Sequence, residues 1–248
     1  MRSFLSLAAL FVFTSVTRAD DAADAKAIVE KAVKAHGYKD DDKSKVMMWK
    51  EKGTFSGGDI QLDYTGDWVF QGPDKMRFDI KGEFGGMKIA ITAVVNGEKA
   101  WESGFGQVQD VTGDKLDYVR GQVYQLTVTS LQPLLADKEF KLATAGEKDI
   151  GGKKAVGVKV TRDKKPTITL YFDKTTGLLS KVESKVKDEF QGWKEVSEEV
   201  YFDDYKEANG RKLFGKMKIV RDGKTMIESK LSDQKFAEKL DPKMLEKP

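Results

Sequence analysis

The chain has 248 residues, 33% of them charged, with a net charge of only +3, one histidine and no cysteine. A near-neutral balance without a basic stripe argues against nucleic-acid partners. One histidine and no thiol exclude zinc sites built from several His or Cys ligands. They also remove disulfide support, so packing must carry stability.

Residues 1–19, MRSFLSLAALFVFTSVTRA, place one arginine ahead of an apolar run and close on small residues. The pattern predicts a secretory signal peptide cleaved near Ala19, too short and wrongly flanked for a lasting transmembrane helix. Residues 20–248 are expected to form one soluble domain, released to the periplasm or secreted. Without a cysteine it has no site for lipidation after the signal.

DDAADAKAIVEKAVKAHGY follows, with Ala25, Ile28, Val29, Ala32, Val33 and His36 at three- and four-residue steps. This predicts an amphipathic helix, with acids at its start and Gly37 as its stop. The single histidine falls at the C-terminal end, where a capping role at the helix dipole is expected rather than catalysis.

Strands come next. KVMMWKEKGTF, DIQLDYTGDWVF, KMRFDIKG and GMKIAITAVV are separated by Gly-Gly, Gly-Pro-Asp and Gly-Gly breaks, and Asn96-Gly97 predicts a tight hairpin into KAWES. Met76-Phe78-Ile80 and Met87-Ile89-Ile91-Ala93-Val95 alternate as for a sheet with one buried face. Val46 and Met48 oppose Met47 and Trp49, and Val69 opposes Trp68 and Phe70, so apolar bulk lies on both faces. Either helices cover one side or the sheet encloses an apolar cavity. The candidate lining is Met48, Trp49, Trp68, Phe78, Ile80, Ile89, Ile91 and Trp101.

From Asp114 to Leu135 helical spacing returns, with Pro133 marking the far end and Thr127-Val128-Thr129 loosening it. Strands resume at Phe140 and run to about Ser232. Their turns are Gly151-Gly152, Asp173 to Gly177, Asn209-Gly210 and Asp222-Gly223. The final SDQKFAEKLDPKMLEKP reads as a tail across the sheet edge. No period holds along the hairpins, which argues against a propeller or solenoid.

Reactive groups are scarce. The chain holds no GxxxxGK[ST] loop, and GFG at 104–106 lacks the further glycine and helix of a dinucleotide fingerprint. Asp40-Asp41-Asp42 and Asp203-Asp204 lack calcium-loop spacing and read as solvated surface. No cofactor or metal is expected, and an enzyme would have to rest on carboxylates alone.

In order of elements, and in AKAIVEKAVKAHG, VVNGEKAWES, YFDKTTGLLSKVESKV and YFDDYKEANGRKLFGKMKIVRDGKT, the chain resembles the LolA-like periplasmic lipoprotein carriers. That resemblance implies a mainly β fold with helices (α+β), a strongly curled antiparallel sheet forming an unclosed β-barrel. The N-terminal helix and the central helical insert would sit at its mouth. It further implies a monomeric, non-catalytic carrier whose cavity shelters lipid or lipoprotein acyl chains, exchanged with membrane-associated donor and acceptor proteins. The alternatives are an envelope-stress sensor or protein-interaction module on the same fold, or a carboxylate-based hydrolase. An interaction module would work by adding a partner strand to a sheet edge.

Overall fold

The computed structural model describes residues 17–39 and 44–248, with the backbone alone for 17–20. The expected signal peptide lies outside these residues except for its last three, and Asp40 to Asp42 lie outside them too. Among the described residues no helix is long and apolar enough to cross a membrane.

The chain opens with α1 (Thr17–Ala35) and then runs through six strands, β1 (Val46–Gly57), β2 (Ile60–Gln71), β3 (Lys75–Phe84), β4 (Met87–Asn96), β5 (Lys99–Gly104) and β6 (Gln107–Asp110). Two helices follow, α2 (Gly113–Thr129) and α3 (Gln132–Ala136). Seven further strands are β7 (Lys141–Ile150), β8 (Lys153–Thr161), β9 (Ile168–Asp173), β10 (Leu179–Asp188), β11 (Lys194–Ala208), β12 (Arg211–Arg221) and β13 (Lys224–Ala237). Short 3₁₀ turns occupy Glu189–Gln191 and Pro242–Leu245.

All thirteen strands form one open antiparallel sheet in the order β6-β5-β4-β3-β2-β1-β13-β12-β11-β10-β9-β8-β7. Two meanders therefore run outward from a central seam, where β1 pairs with β13, and β6 and β7 are the free edges. The seam corrects the expectation for the C-terminal segment. Lys224–Ala237 is the central strand β13, and only the residues after it form a tail. That tail lies on a face of the sheet rather than its edge, with Asn96 Nδ2 donating to Leu245 O at 3.1 Å and Leu245 buried.

The stop of α1 is a paired-carbonyl cap. Tyr38 N–H donates to Val33 O at 3.1 Å and Gly37 N–H to Lys34 O at 3.0 Å. Gly37 has φ +77, and a Cβ there would stand 2.1 Å from Gly210 O, so both conformation and close approach demand glycine. The central helical segment divides in two. The hydroxyls of Thr127 and Ser130 donate to carbonyls three or four residues back, and Leu131 takes φ 64. Pro133 then starts α3 instead of ending α2.

Two apolar clusters hold the helices. Ala25, Val29 and Ala32 of α1 pack with Tyr124, Val128, Leu134 and the strand residues Val158, Leu170, Phe172 and Val182. Leu116, Val119, Val123 and Leu126 of α2 pack with Trp49, Phe70, Met76 and Val95 of the first meander. Hence α2 touches β4 and β5 on one side and β9 and β10 on the other.

Candidate functional site

Strand register assigns side chains to faces, because successive residues alternate. Taking the face that meets α2 as the inner one, its rows can be read across strands. Trp49 stands opposite Trp68, Trp68 opposite Phe78, and Phe78 opposite Ala93. The next row holds Glu51, Gly66, Ile80, Ile91 and Gly104, and the one after it Gly53, Tyr64, Gly82 and Ile89. Phe84 and Met87 close the β3–β4 hairpin beyond them.

The inner face thus has a covered end and an uncovered one. At the covered end Trp49 and Trp68 stack with centroids 5.6 Å apart and planes at 6°, and Phe78 lies 4.7 Å from Trp68. Helix α2 seals this end into a core in which Met76 is 1% and Trp49 7% exposed. Past the helix, Ile80, Ile89 and Ile91 are only half-buried. Ile60, Phe84 and Met87 are 38%, 37% and 61% exposed. An apolar strip therefore leads from the packed core to the hairpin tips.

The eight candidate lining residues divide accordingly. Trp49, Trp68 and Phe78 belong to the core beneath α2, and Ile80, Ile89 and Ile91 to the open strip. Met48 and Trp101 do not join them. Their row, Met48, Val69, Arg77, Val94 and Trp101, alternates with the inner one and lies on the opposite face. There the C-terminal tail covers part of the sheet, Arg77 donating to Met244 O at 3.3 Å. The inner apolar bulk of β1 and β2 is thus covered by α2, and the tail covers the opposite face over β3 and β4. Ile60 and Phe84 escaped the sequence reading because both border Gly-Gly or Gly-Asp turns, although Met87 shares its alternation with Ile89.

A polar cluster interrupts the inner face where the two ends meet. Glu51 is 4% exposed, and Tyr64 Oη donates to its Oε1 at 2.5 Å. Burial raises the Glu51 carboxyl above the usual range, while the Tyr64 hydroxyl favours the charged form and offsets this only in part. Trp49 Nε1, Trp68 Nε1 and Ser229 Oγ are buried and close no hydrogen bond of ordinary geometry. Trp49 and Ser229 lie near enough to Glu51 to favour its charged form without closing a bond of ordinary geometry. Each such atom costs about 1–3 kcal/mol when left unpaired.

A second buried network sits under the other side of α2. Arg221 Nε donates to Glu198 Oε2 at 2.9 Å, and another guanidinium nitrogen donates to Tyr118 Oη at 2.7 Å. Asp188 lies 3.6 Å away. Gln125 links Glu198 and Ser184, at 3.4 and 3.1 Å. The helix therefore meets the first meander through apolar side chains, and the second through this satisfied ionic network beside the apolar contacts of Tyr124 and Val128.

His36 is neither charged nor a dipole cap. Leu179 N–H donates to its Nε2 at 3.1 Å, so Nδ1 carries the proton and donates to Lys212 O at 3.2 Å. Burial pushes its pKa down to about 4. With both ring nitrogens held by backbone groups, the imidazole pins α1 to β10 and β12 and offers no free base. Among the described residues no group of His, Asp or Glu side chains is placed to hold a metal ion. Asp203 is exposed, and Asp204 pairs with Lys206 at 3.1 Å, as expected of solvated surface.

A trough of about 1110 Å³ lies across the outer face of β9 to β13 and β1, without any of the eight candidate residues. Its lysines, among them Lys52, Lys216, Lys218 and Lys230, alternate with Asp63, Asp173, Asp203 and Glu228. This wet, charge-balanced surface suits neither an apolar chain nor a strongly charged ligand. The inner strip is the better candidate site.

No protein-family model matches the chain, and no curated protein matches it in sequence. Solved structures do. A LolA superfamily protein from Nitrosomonas europaea superposes with a TM-score of 0.58 at 13% identity, over 90% of this chain and 97% of that one. A DUF1329 family protein from Desulfovibrio piger gives 0.57 at 15% identity over the same shares of the two chains. A domain from Vibrio parahaemolyticus, named for outer membrane lipoprotein sorting, gives 0.54 at 11%, again over 90% and 97%. The open antiparallel sheet with its packed helices is a LolA-like fold.

Proposed function

We propose that the protein is an exported, non-catalytic carrier or binder of lipid or acylated protein, holding acyl chains against the inner face of a single curled domain. The observation that carries this reading is the apolar strip Ile80, Ile91, Ile89, Met87, continuous with the aromatic core and left uncovered by α2. Each methylene moved from water onto such a surface gains about 0.8 kcal/mol, so ten of them supply about 8 kcal/mol before ordering costs.

Curling of the sheet is supported by the position of α2. In sheet order β5 and β10 are eight steps apart, about 38 Å on a flat sheet, yet both touch one helix about 10 Å wide. A wall that bends this far makes a trough, and the helix closes part of its mouth. Movement of α2 would admit and release the chain. Its ionic contact with the second meander is the side better suited to part, since water can replace those hydrogen bonds.

Strand addition at a sheet edge, the route for an interaction module, is opposed at both edges. β6 has four residues, and β7 carries a bulge between Thr144 and Glu147 and charged side chains at Glu147, Lys148 and Asp149. Thr144 N–H is already taken by Asp21 of α1 at 3.0 Å.

Binding of a fluorescent fatty-acyl probe tests the proposal. Ile89→Asp and Met87→Asp place a charge on the strip but leave the core beneath α2 intact, and each should weaken probe binding at least tenfold in a folded protein. Unchanged affinity in both would remove the strip as the site.

A further inference from the structure

We propose that Glu51, Tyr64, Trp49, Trp68 and Ser229 form a polar recognition point in the inner face, which takes the neutral ester or amide junction of an acylated ligand and discriminates against a free carboxylate. This deepens the acyl-binding reading and rests on it.

The five residues are neighbours on three adjacent strands. Trp49 and Glu51 lie on β1, opposite Trp68 and Gly66 of β2, while Gly53 stands between Tyr64 of β2 and Ser229 of β13. Trp49, Glu51, Tyr64 and Ser229 are each less than 8% exposed. Three polar atoms in this dry setting, Trp49 Nε1, Trp68 Nε1 and Ser229 Oγ, close no hydrogen bond of ordinary geometry among the described residues, although Trp49 and Ser229 lie close to Glu51. Buried polar groups are ordinarily paired, so three together mark a place built for a partner.

Their chemistry specifies that partner. An indole nitrogen only donates, so the two tryptophans call for acceptor oxygens such as ester or amide carbonyls. Ser229 can donate or accept. Glu51 disfavours a second carboxylate, because burial opposes charge on either carboxyl and the two together cannot ionise cheaply in so dry a site. The flanking inner rows hold Phe78, Ile80, Ile91 and Leu231 and no lysine or arginine to neutralise an anionic head.

Two glycines let the cluster close up. A Cβ at Gly66 would stand 2.8 Å from Trp68 Nε1, and one at Gly53 2.7 Å from Ser229 Cβ. The cluster also borders the open strip, since Ile80 is in the same row as Glu51 and Gly66. A chain lying along Ile80, Ile89 and Met87 would bring its polar end to these donors.

Calorimetric titration at pH 8 with a ten-carbon monoacylglycerol and with decanoic acid tests the inference. The wild type should bind the ester roughly tenfold more tightly than the acid. Trp68→Phe, which keeps an aromatic side chain and deletes the N–H, should weaken the ester roughly fivefold and leave the acid within twofold. Ser229→Ala should act in the same direction, and Glu51→Gln should strengthen the acid. If Glu51→Gln fails to fold, the other two variants still decide. Equal binding of ester and acid, unmoved by the variants, overturns this inference and leaves the acyl container standing. Binding of neither ligand overturns both.

Discussion

His36 gives the sharpest stability prediction, because it is the single histidine of the chain and its surroundings are fixed by two backbone hydrogen bonds. Its pKa falls from an ordinary 6.5 to about 4 on folding. The folded protein therefore prefers the neutral ring, and the unfolded chain takes up a proton first as pH falls. The associated stability is complete above pH 6.5, is lost between 6.5 and about 4, and changes no further below that. At about 1.4 kcal/mol per pH unit, the full loss is about 3 kcal/mol. Urea unfolding of wild type and His36→Phe across pH 7.5 to 4 measures it. The variant leaves Leu179 N–H and Lys212 C=O unpaired, so it starts lower, by about 2–4 kcal/mol at pH 7.5. Other groups titrate in both proteins and largely cancel in the difference. That difference should shrink by about 3 kcal/mol on going to pH 4. A gap independent of pH, or an imidazole NMR titration near 6.5 in the folded protein, would refute the burial argument.

Two further perturbations probe how the helices are held. Gly37→Ala should destabilise by several kcal/mol, because it combines a left-handed backbone with a Cβ 2.1 Å from Gly210 O; thermal unfolding reads this directly. Arg221→Met should cost about 3–5 kcal/mol in urea, since it strands Glu198 and Asp188 beneath α2 without their cation. The same variant should speed acyl-probe entry and exit in stopped flow if α2 opens on that side, and unchanged rates would assign the gate elsewhere.

Local signals carried much of the fold into view. Glycine turns delimited β1 to β5 within a residue or two, because positive φ is needed at Gly58, Gly85, Gly86 and Gly97, Gly72-Pro73 breaks the chain between β2 and β3, and the alternation between turns is regular. Gly37 stopped α1 where expected. The centre of the sheet was not legible: β13 pairs with β1 across nearly the whole chain, and no local pattern marks so distant a register. Its charged outer face and the bulge opposite Met48–Lys50 also make it read as a tail. The α2–α3 break depended on Leu131 adopting φ 64, which a leucine does not advertise.

For the candidate site, residue type was legible and direction was not. Trp49, Trp68, Phe78, Ile80, Ile89 and Ile91 share a face because their strands pair directly opposite one another, whereas Met48 and Trp101 fall out by one residue each. A single step along a strand reverses the face. The cluster around Glu51 was invisible for another reason. Glu51 reads as an ordinary outward charge in KEKGT, and only pairing with Gly66 and Tyr64 shows that it is buried.

The central claim is that the inner face holds acyl chains. Its most direct test is mass spectrometry of an organic extract from residues 20–248, exported to and purified from a bacterial periplasm without detergent. The account predicts near-stoichiometric acyl lipid from the wild type and its loss from folded Met87→Asp and Ile89→Asp proteins. A lipid-free wild type that also takes up no added monoacylglycerol would contradict it.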